Sequence, residues 1–430
     1  MVYGDNDAPN SLGEQGGGRA PNTQAVIKCI ECSSEFNLTG RRITCSCGGL
    51  LQVEFRKVPE LSWDLFRSRP FKLWRYRELI PLPPEAEVVS LSEGGTPLVK
   101  LARSKELVRT GRAYVKLEGA NPTGSFKDRG MTVAVSMAKY LGIKVVACAS
   151  TGNTSASMSA YTARAGLKSL VVLPKGKVAK GKLMQAVLHG ATLAFVNGSF
   201  DDALRLVIRL AEEYPVYVLN SLNPWRIEGQ KTLAFEIADE VGVPDWVVVP
   251  VGNGGNISAI WKGFKELKEA GLVGRLPKLA GVQAAGAAPL AKAFREGLGK
   301  PEFVDNPETV ATAIRIGRPV NWPRALRAVR ESRGVLTAVT DDEILKAQEL
   351  LARLEGLGVE PASAASLAGL IKLREEGVID ADETVVLVAT GHALKDPDVT
   401  QYHSVRSFEV RGEGVLTLIR ELTDSVAGSR

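Results

Sequence analysis

Most hydrophobic residues of this chain lie in short continuous runs, which alternate with longer segments whose apolar positions recur at helical spacing. The runs are YVKLEG, KVVACAS, SLVVLP, TLAFVNG, VYVLNS, DWVVVPVG and ETVVLVATG; the helical segments include DDALRLVIRLAEEY, KTLAFEIADEVG and DDEILKAQELLARLEG. Runs without polar alternation are typical of strands buried on both faces. The pattern from Pro97 onward therefore predicts an α/β fold of open, mostly parallel sheets, with enough strands for two such units.

Three segments precede the alternating region. Residues 1–25 have no apolar core, so we expect a flexible tail and not a signal peptide. Residues 26–56 form a short module that contains four cysteines. Residues 57–96 are rich in Trp, Arg and Pro and are predicted to be a connecting arm.

The composition excludes several classes of protein. With 45% hydrophobic and 24% charged residues, the 430-residue chain is neither disordered nor collagen-like. No apolar run approaches the roughly 18 residues that a membrane-spanning helix needs. The net charge of +6 fits an anionic small substrate as well as a nucleic acid. Five cysteines without a secretory signal favour a reducing cytoplasm over a disulfide framework.

Four of the cysteines have the spacing of a metal site. Cys29, Cys32, Cys45 and Cys47 give C-x2-C-x12-C-x-C, which is similar to a zinc ribbon although its second pair is one residue tighter than usual. Four thiolates would leave no open position, so the zinc would be structural. The alternatives to a zinc site are a ribbon that folds without metal and a pair of disulfides. Cys148, inside an apolar run, is expected to be a small core residue.

The first candidate for chemistry is a lysine in the loop NPTGSFKDRG. Ser125 and Asp128 have the offset of a capping box, which predicts a helix that places Lys127 in its first turn. The positive end of the helix dipole disfavours an ammonium ion there and makes the free amine available. Imine formation with a carbonyl needs that free amine. The alternative is an ordinary exposed lysine.

Three further loops follow predicted strands. Residues 150–157, STGNTSAS, crowd hydroxyl groups at a helix start and suit a carboxylate, unless they are only an N-cap. Residues 251–258, VGNGGNIS, let backbone amides converge on a phosphate, with a helix beginning near Ile257; a plain tight turn is the alternative. Thr390 ends the last strand, and His392 beside it is more often structural than catalytic. An imine-forming lysine, a phosphate loop and a carboxylate turn together are what pyridoxal 5′-phosphate chemistry on an amino acid needs.

Six motifs carry a family resemblance. KLEGANPTGSFKDRGM, ACASTGNTSAS, VLPKGKVAKGKL, LNSLNPWRIEGQKTLAFE, VGNGGNIS and ATGHALKDP resemble, in order, the threonine synthase family of fold-type II (tryptophan synthase β-like) pyridoxal-phosphate enzymes. The matches run from about residue 92 to 397. The family often has Gly where this chain has Ala393, and a methyl group there could shift the turn that carries Thr390.

The resemblance implies a role for individual residues. Lys127 would carry the cofactor as a Schiff base, Asn153 would bond its 3′-oxygen, and Thr390 would face its pyridine nitrogen. The cofactor phosphate would lie on Gly252, Asn253, Gly254, Gly255 and Asn256. The substrate carboxylate would be held by Asn153 together with Ser150, Thr151 and Thr154.

The resemblance also implies a substrate and a reaction. O-phospho-L-homoserine and water would give L-threonine and phosphate through γ-elimination and β-addition. The substrate phosphate would be bound by Asn220, Ser221 and Arg226, assisted by Lys116 or Lys177. Arg226 is the strongest candidate because a planar guanidinium can bind two phosphate oxygens.

The resemblance further implies two catalytic lobes, at residues 97–220 and 221–430, and a homodimer. Cysteate synthase, which uses phosphoserine, and threonine dehydratase are the alternatives within this chemistry. A nucleic-acid-binding protein built on the cysteine module is the alternative from another class, but the basic residues do not cluster with aromatic ones.

Overall fold

The computed structural model of the chain describes residues 25–109, 112–175 and 180–404, together with 415 and 419. The predicted tail, apart from Ala25, lies outside the described residues. The strands are β1 Ala25–Cys29, β2 Glu35–Phe36, β3 Leu51–Phe55, β4 Leu98–Lys100, β5 Ala113–Leu117, β6 Val145–Ala149, β7 Lys168–Pro174, β8 Thr192–Val196, β9 Val216–Val218, β10 Trp246–Pro250, β11 Lys278–Ala284, β12 Val335–Val339 and β13 Val385–Ala389.

The α-helices are α1 Trp63–Arg67, α2 Ser104–Val108, α3 Lys127–Tyr140, α4 Asn153–Ala165, α5 Lys180–Leu188, α6 Phe200–Glu213, α7 Pro224–Gln230, α8 Thr232–Val241, α9 Gly255–Glu269, α10 Pro289–Arg295, α11 Trp322–Glu331, α12 Asp341–Glu355 and α13 Pro361–Glu375. Short 3-10 helices lie at Leu73–Leu79, Glu118–Ala120, Ala285–Ala287, Thr312–Ile314, Ala393–Lys395 and Pro397–Tyr402. None of the described helices is long and apolar enough to cross a membrane.

The two larger sheets are parallel apart from one edge strand. A four-stranded sheet has the order β8-β7-β6-β9, and all of its pairs are parallel. A six-stranded sheet has the order β12-β11-β10-β13-β5-β4, in which only β4 runs antiparallel, against β5. The continuously apolar runs form the central strands because helices cover both faces of such sheets. The predicted α/β class with mostly parallel sheets is confirmed.

Every run that the sequence singled out is a strand, but the strands pair differently from the predicted lobes. β4 and β5 precede Lys127 along the chain, yet they lie in the six-stranded sheet, where β5 pairs with β13. Strands β4, β11 and β12 were not singled out from the sequence. An apolar run reports that a strand is buried, whereas its partner depends on contacts far along the chain.

The cysteine module is a small antiparallel sheet of order β2-β1-β3, which we call the ribbon (residues 25–55). The arm that follows is folded against the core and is not an extended linker. Tyr76 packs edge-on to Phe235 of α8 with ring centroids 5.5 Å apart, and its hydroxyl donates to Asp239. The arm therefore packs as part of the same folded core as α8.

A buried ion-pair network fixes α3, the helix that begins at Lys127. The guanidinium of Arg129 is fully buried between Glu118, whose carboxylate lies 2.6 Å from Nε, and Glu236, 2.6 Å from Nη1. Isolated buried charges cost several kcal/mol, so such groups remain buried only when they are paired. The network holds α3 against α8 and against the chain that directly follows β5.

The described residues from Pro397 onward belong to a unit of their own. Within it, the 3-10 helix Pro397–Tyr402 is closed by the Thr400 hydroxyl, which donates to the carbonyl of Pro397. Residues 415 and 419 are helical.

Candidate active site

Lys127 is the first residue of α3, and the loop before it is joined to the turn after β13. The backbone N–H of Phe126 donates to the carbonyl of Thr390 at 3.0 Å, and the N–H of His392 donates to the carbonyl of Gly124 at 2.9 Å. Gly124 has a φ of 83°, a left-handed conformation that glycine adopts without strain. The first and fourth predicted loops therefore meet.

The predicted capping box is wrong. The Ser125 hydroxyl has no hydrogen-bond partner among the described residues, and no side chain caps α3. Asp128 instead accepts from the backbone N–H of Thr123 at 2.7 Å, from the Thr123 hydroxyl at 2.6 Å and from the Ser157 hydroxyl at 2.6 Å. The spacing of Ser125 and Asp128 is compatible both with a capping box and with the observed bonds. Asp128 takes the second arrangement because Thr123 and the Ser157 hydroxyl of α4 lie within its reach. Asp128 thus ties the lysine loop to α4.

The Lys127 amine lies in the pocket without a direct ion pair to any described residue. Within the described chain its Nζ has no hydrogen bond, and it lies 4.1 Å from the centroid of the Phe126 ring. Burial, aided by the positive charge of Arg226 and opposed by Glu360, lowers the pKa of Lys127 to about 7. The free amine that imine formation needs is therefore available near neutral pH.

A glycine-rich loop forms one end of the same pocket. Gly252, Asn253, Gly254, Gly255 and Asn256 line it between β10 and α9. Gly254 has a φ of 81°, and α9 begins at Gly255, two residues before the predicted start. No side chain caps α9, and both amide atoms of buried Asn256 lack a partner among the described residues. Free N–H groups at a helix N-terminus attract an anion, so this loop fits the phosphate of a cofactor.

Arg226 supplies a buried positive charge. It lies on α7, which crosses α3 so closely that a side chain at Gly229 would overlap the carbonyl of Arg129. Its Nη1 donates to the carbonyl of Leu219 at 3.2 Å, its Nε has no partner in the described part of the chain, and no carboxylate there pairs with it. Burial lowers the pKa of Arg226 to about 10, which leaves it a cation at neutral pH. A buried cation without a carboxylate fits a bound anion.

Asn153 and Thr390 lie on either side of a carboxylate that the sequence analysis missed. The Asn153 amide donates to Glu360 Oε2 at 3.0 Å, and the Thr390 hydroxyl donates to Glu360 Oε1 at 3.2 Å. All three line the pocket, and burial raises the pKa of Glu360. Glu360 directly precedes the proline that opens α13, so in the sequence it resembles an ordinary residue at a helix start.

Not all the predicted substrate residues reach this pocket. The prediction that Lys116 helps to bind the substrate phosphate is wrong. Its ammonium is fully buried between Glu236 at 3.0 Å and Glu240 at 2.6 Å, and it does not line the pocket. Lys116 is an inward residue of β5, where its charge is neutralised within the core. Ser221 does line the pocket. Lys177 lies outside the described residues.

Asn220 has a different use from the predicted one. Its side-chain oxygen accepts from the N–H of Ala149 at 3.0 Å, and its Nδ2 donates to the carbonyl of the same residue at 2.8 Å. Asn220 therefore joins the chain after β9 to the end of β6. Ser150, Thr151 and Thr154 are half-buried in the turn that leads into α4, next to Asn153, and they do not line the pocket themselves.

The turn after Thr390 is intact. His392 is exposed, and its Nδ1 accepts from the N–H of Leu394 at 3.1 Å, which agrees with the structural role favoured from the sequence. The N–H of Ala393 donates to the carbonyl of Gly358, and Thr390 still faces the pocket. The extra methyl group at Ala393 is accommodated.

The four ribbon cysteines converge at one point. Their sulfur atoms all lie within 4.8 Å of one another, and none of them forms a disulfide. Two sulfurs belong to buried residues, Cys29 and Cys45, and two to exposed ones, Cys32 and Cys47. Four sulfurs at this spacing suit a tetrahedral metal ion. Cys148 is fully buried in β6, as expected of a core residue.

The fold and the pocket, with a buried lysine beside a glycine-rich loop, are those expected of an enzyme that uses a phosphorylated carbonyl cofactor. In agreement, the sequence profile of the pyridoxal-phosphate dependent enzyme family matches residues 89–391.

Comparison with curated relatives narrows this class. The chain is 55% identical to a threonine synthase of Methanocaldococcus jannaschii over 376 residues, which covers 86% of this chain and 93% of the relative. It is 54% identical to a threonine synthase of Methanosarcina acetivorans, with 86% and 92% covered. The chain therefore belongs to the threonine synthase family of pyridoxal-phosphate dependent lyases.

Solved structures agree in fold. The threonine synthase of Escherichia coli has a TM-score of 0.71 at 18% identity, with 90% of this chain and 93% of that one covered. A tomato threonine deaminase has a TM-score of 0.61 at 23% identity, with 74% and 84% covered.

Proposed function

We propose that this chain converts O-phospho-L-homoserine and water to L-threonine and phosphate by γ-elimination followed by β-addition. One observation carries the proposal: the Lys127 amine shares its pocket with two separate anion-binding features, the glycine loop 252–256 and Arg226. A reaction between a phosphorylated cofactor and a phosphorylated substrate needs two such features. A dehydratase that acts on an unphosphorylated amino acid would need only one.

The fit of the site to pyridoxal phosphate rests on the chain's own groups. The loop 252–256 would hold the phosphate, Asn153 the 3′-oxygen, Thr390 the ring nitrogen and Lys127 the carbonyl carbon. When bound, the cofactor withdraws electrons from the bonds at the substrate's α-carbon. The neutral hydroxyl of Thr390 does not force a proton onto the ring nitrogen, as an acid there would.

Lys127 would also serve as the general base. Its amine would take the proton from Cα of the substrate and later move a proton at Cβ, and a pKa of about 7 in the pocket suits both taking and returning a proton. Arg226 holds the phosphate until it leaves Cγ and keeps the leaving group oriented. Ser150, Thr151 and Thr154 beside Asn153 would orient the carboxylate.

The pKa of Lys127 gives a pH prediction. Attachment of pyridoxal phosphate to the chain freed of cofactor should speed up about tenfold per pH unit below pH 7 and level off above it, because only the neutral amine attacks. Stopped-flow absorbance between pH 5.5 and 9 measures this rate. A rate that still climbs tenfold per unit at pH 9 would mean that the reacting lysine has an ordinary pKa.

We also propose that the ribbon cysteines bind one structural zinc ion. Tetrahedral thiolate coordination needs four convergent sulfurs, and the distances of 3.5 Å between Cys29 and Cys47 and 3.6 Å between Cys32 and Cys45 are compatible with it.

Purified protein should accordingly contain one zinc ion per chain by elemental analysis. Cys47→Ser should lose the metal and lower the melting temperature, because metal binding contributes directly to folding in such modules. Cys148→Ala, outside the cluster, should keep the full zinc content. Zinc-free wild-type protein with four titratable thiols would exclude the site.

The assembly and the compartment are further proposals. A homodimer is what the resemblance to the family implies, and sedimentation of the full chain would test it. Five cysteines without a disulfide among them favour a reducing compartment such as the cytoplasm.

The direct test of the function is a substrate comparison with purified protein. We expect equal amounts of phosphate and threonine from O-phospho-L-homoserine, and no cysteate from phosphoserine with sulfite. Phosphoserine is one methylene shorter, so its phosphate would not reach Arg226 while its amine is bound. Turnover of phosphoserine with sulfite, or of threonine to an oxoacid, in place of phosphohomoserine would reject the proposal.

A further inference from the structure

The ribbon sheet has a free edge that the catalytic core closes. β3 is an edge strand. Because the N–H of Ile30 donates to the carbonyl of Leu50, alternation along the antiparallel pair makes Leu51 and Val53 the residues whose carbonyl groups point away from β1. Buried edge carbonyls need donors from elsewhere. Arg324 of α11 donates to the carbonyl of Leu51, and Lys262 of α9 donates to that of Val53. Two cations from the core thus hold the ribbon strand.

The hydrogen bonds of the Arg324 guanidinium go to neutral acceptors. The residue is buried, with 7% of its surface exposed, and its Nη1 donates to the side-chain oxygen of Asn321 at 2.5 Å. It forms no ion pair within the described part of the chain; Glu228 attracts it without a direct bond, yet burial still lowers the pKa of Arg324 to about 10. A buried cation without a direct carboxylate partner costs stability, so a task beyond stability is worth seeking for it.

Asn321 carries the contact onward to the pocket. It is fully buried, its backbone N–H donates to the carbonyl of Asn253 at 3.0 Å, and its Nδ2 donates to the carbonyl of Ser221 at 3.0 Å. Asn253 belongs to the glycine loop, and Ser221 leads into the helix of Arg226. One residue therefore joins both anion-binding segments: its backbone N–H bonds the glycine loop, and its side chain bonds the segment before α7 and accepts from Arg324.

The packing leaves little freedom at this junction. A β-carbon added to Gly254 would lie 2.9 Å from the Cβ of Ala325 and 3.2 Å from the carbonyl oxygen of Asn321. The start of α11 therefore lies directly against the glycine loop. A displacement of Asn321 must move the loop as well.

We propose that Arg324 and Asn321 are positioning residues, which hold the two anion-binding segments in register and anchor them on the ribbon. The inference rests on the proposed function, since it assumes that the loop 252–256 binds the phosphate of pyridoxal phosphate. The ribbon then contributes to cofactor binding: when β3 is well ordered, Arg324 and Asn321 are held in place, and the core binds its cofactor more tightly.

The test is a titration of cofactor-free full-length protein with pyridoxal phosphate, followed by absorbance. Arg324→Met and Asn321→Ala should each raise the dissociation constant about 10- to 100-fold and raise KM for phosphohomoserine. Arg327→Met, an exposed residue one turn away on the same helix, should change neither. A purely structural role would lower the melting temperature while leaving the dissociation constant of the folded fraction unchanged.

Two results distinguish a failure of this inference from a failure of the proposed function. Wild-type affinity in Asn321→Ala, the milder change, would overturn the inference even if Arg324→Met failed to fold. Wild-type protein that binds no pyridoxal phosphate would overturn the proposed function as well.

The ribbon's part is tested by a double-mutant cycle. Cys47→Ser lies in the ribbon and lines no part of the pocket, yet it should raise the dissociation constant for pyridoxal phosphate. Combined with Arg324→Met, it should add little, because both changes act through the same contact. If Cys47→Ser leaves the dissociation constant for pyridoxal phosphate unchanged, or if the effects of the two changes are fully additive, the ribbon does not influence cofactor binding.

Discussion

Lys127→Ala should lower turnover of phosphohomoserine by at least about 10⁴-fold, the upper end of what one positioned general base contributes. The same variant should lose covalent attachment of pyridoxal phosphate, because Lys127 is both the anchor and the base. Phosphate release and the absorbance of the bound cofactor measure the two losses. We expect them to occur together, since both depend on one buried amine whose pKa is about 7.

Lys139→Ala is the matched control for this prediction. Lys139 lies near the end of the same helix and is half-exposed, with Glu87 as its partner at 2.7 Å. We expect wild-type turnover and cofactor content. An active Lys127→Ala enzyme with covalently bound cofactor would mean that another lysine carries the chemistry.

Arg226→Met should have the second-largest effect. Loss of a buried, hydrogen-bonded charge partner costs about 2–5 kcal/mol, so kcat/KM for phosphohomoserine should fall about 30- to 4,000-fold. Arg226→Lys should lose less, because it keeps the charge while losing the two-pronged contact. Steady-state kinetics with phosphohomoserine measures both variants.

Inorganic phosphate distinguishes loss of the substrate's anion site from a general defect. It should inhibit the wild-type enzyme competitively and inhibit Arg226→Met much more weakly, while the cofactor content of the variant stays normal. Undiminished kcat/KM in Arg226→Met would place the substrate phosphate elsewhere in the pocket.

The sequence was most informative about elements whose signal is local. Strands such as β6, β10 and β13 are five-residue apolar runs, and the groups that end them, including Thr390, meet because the carboxyl ends of parallel strands share one edge of a sheet. The pairing of β5 with β13 could not be predicted in this way. It depends on contacts that no window of neighbouring residues contains.

The site departs from the sequence prediction where a side chain has two possible partners. Lys116 was assigned to the substrate, but its position in β5 directs it to Glu236 and Glu240. Asp128 was expected to accept from Ser125 and instead accepts from Thr123. Charge and spacing limit what such groups can do, whereas tertiary contacts decide which option is realised.

Glu360 illustrates a residue that a motif search does not find. Its carboxylate bonds both Asn153 and Thr390, two residues that are 237 positions apart in the sequence numbering of the chain. Nothing near it in sequence distinguishes it from other acids at helix starts. Its significance depends on three loops that only the folded chain brings together.

Borohydride reduction of the cofactor-loaded enzyme tests the central claim most directly. Reduction converts the link between pyridoxal phosphate and its lysine into a stable bond, and peptide mass spectrometry then identifies the labelled residue. The account predicts a single label, on Lys127. A label on any other lysine, or protein that remains colourless and unlabelled when supplied with pyridoxal phosphate, would contradict it.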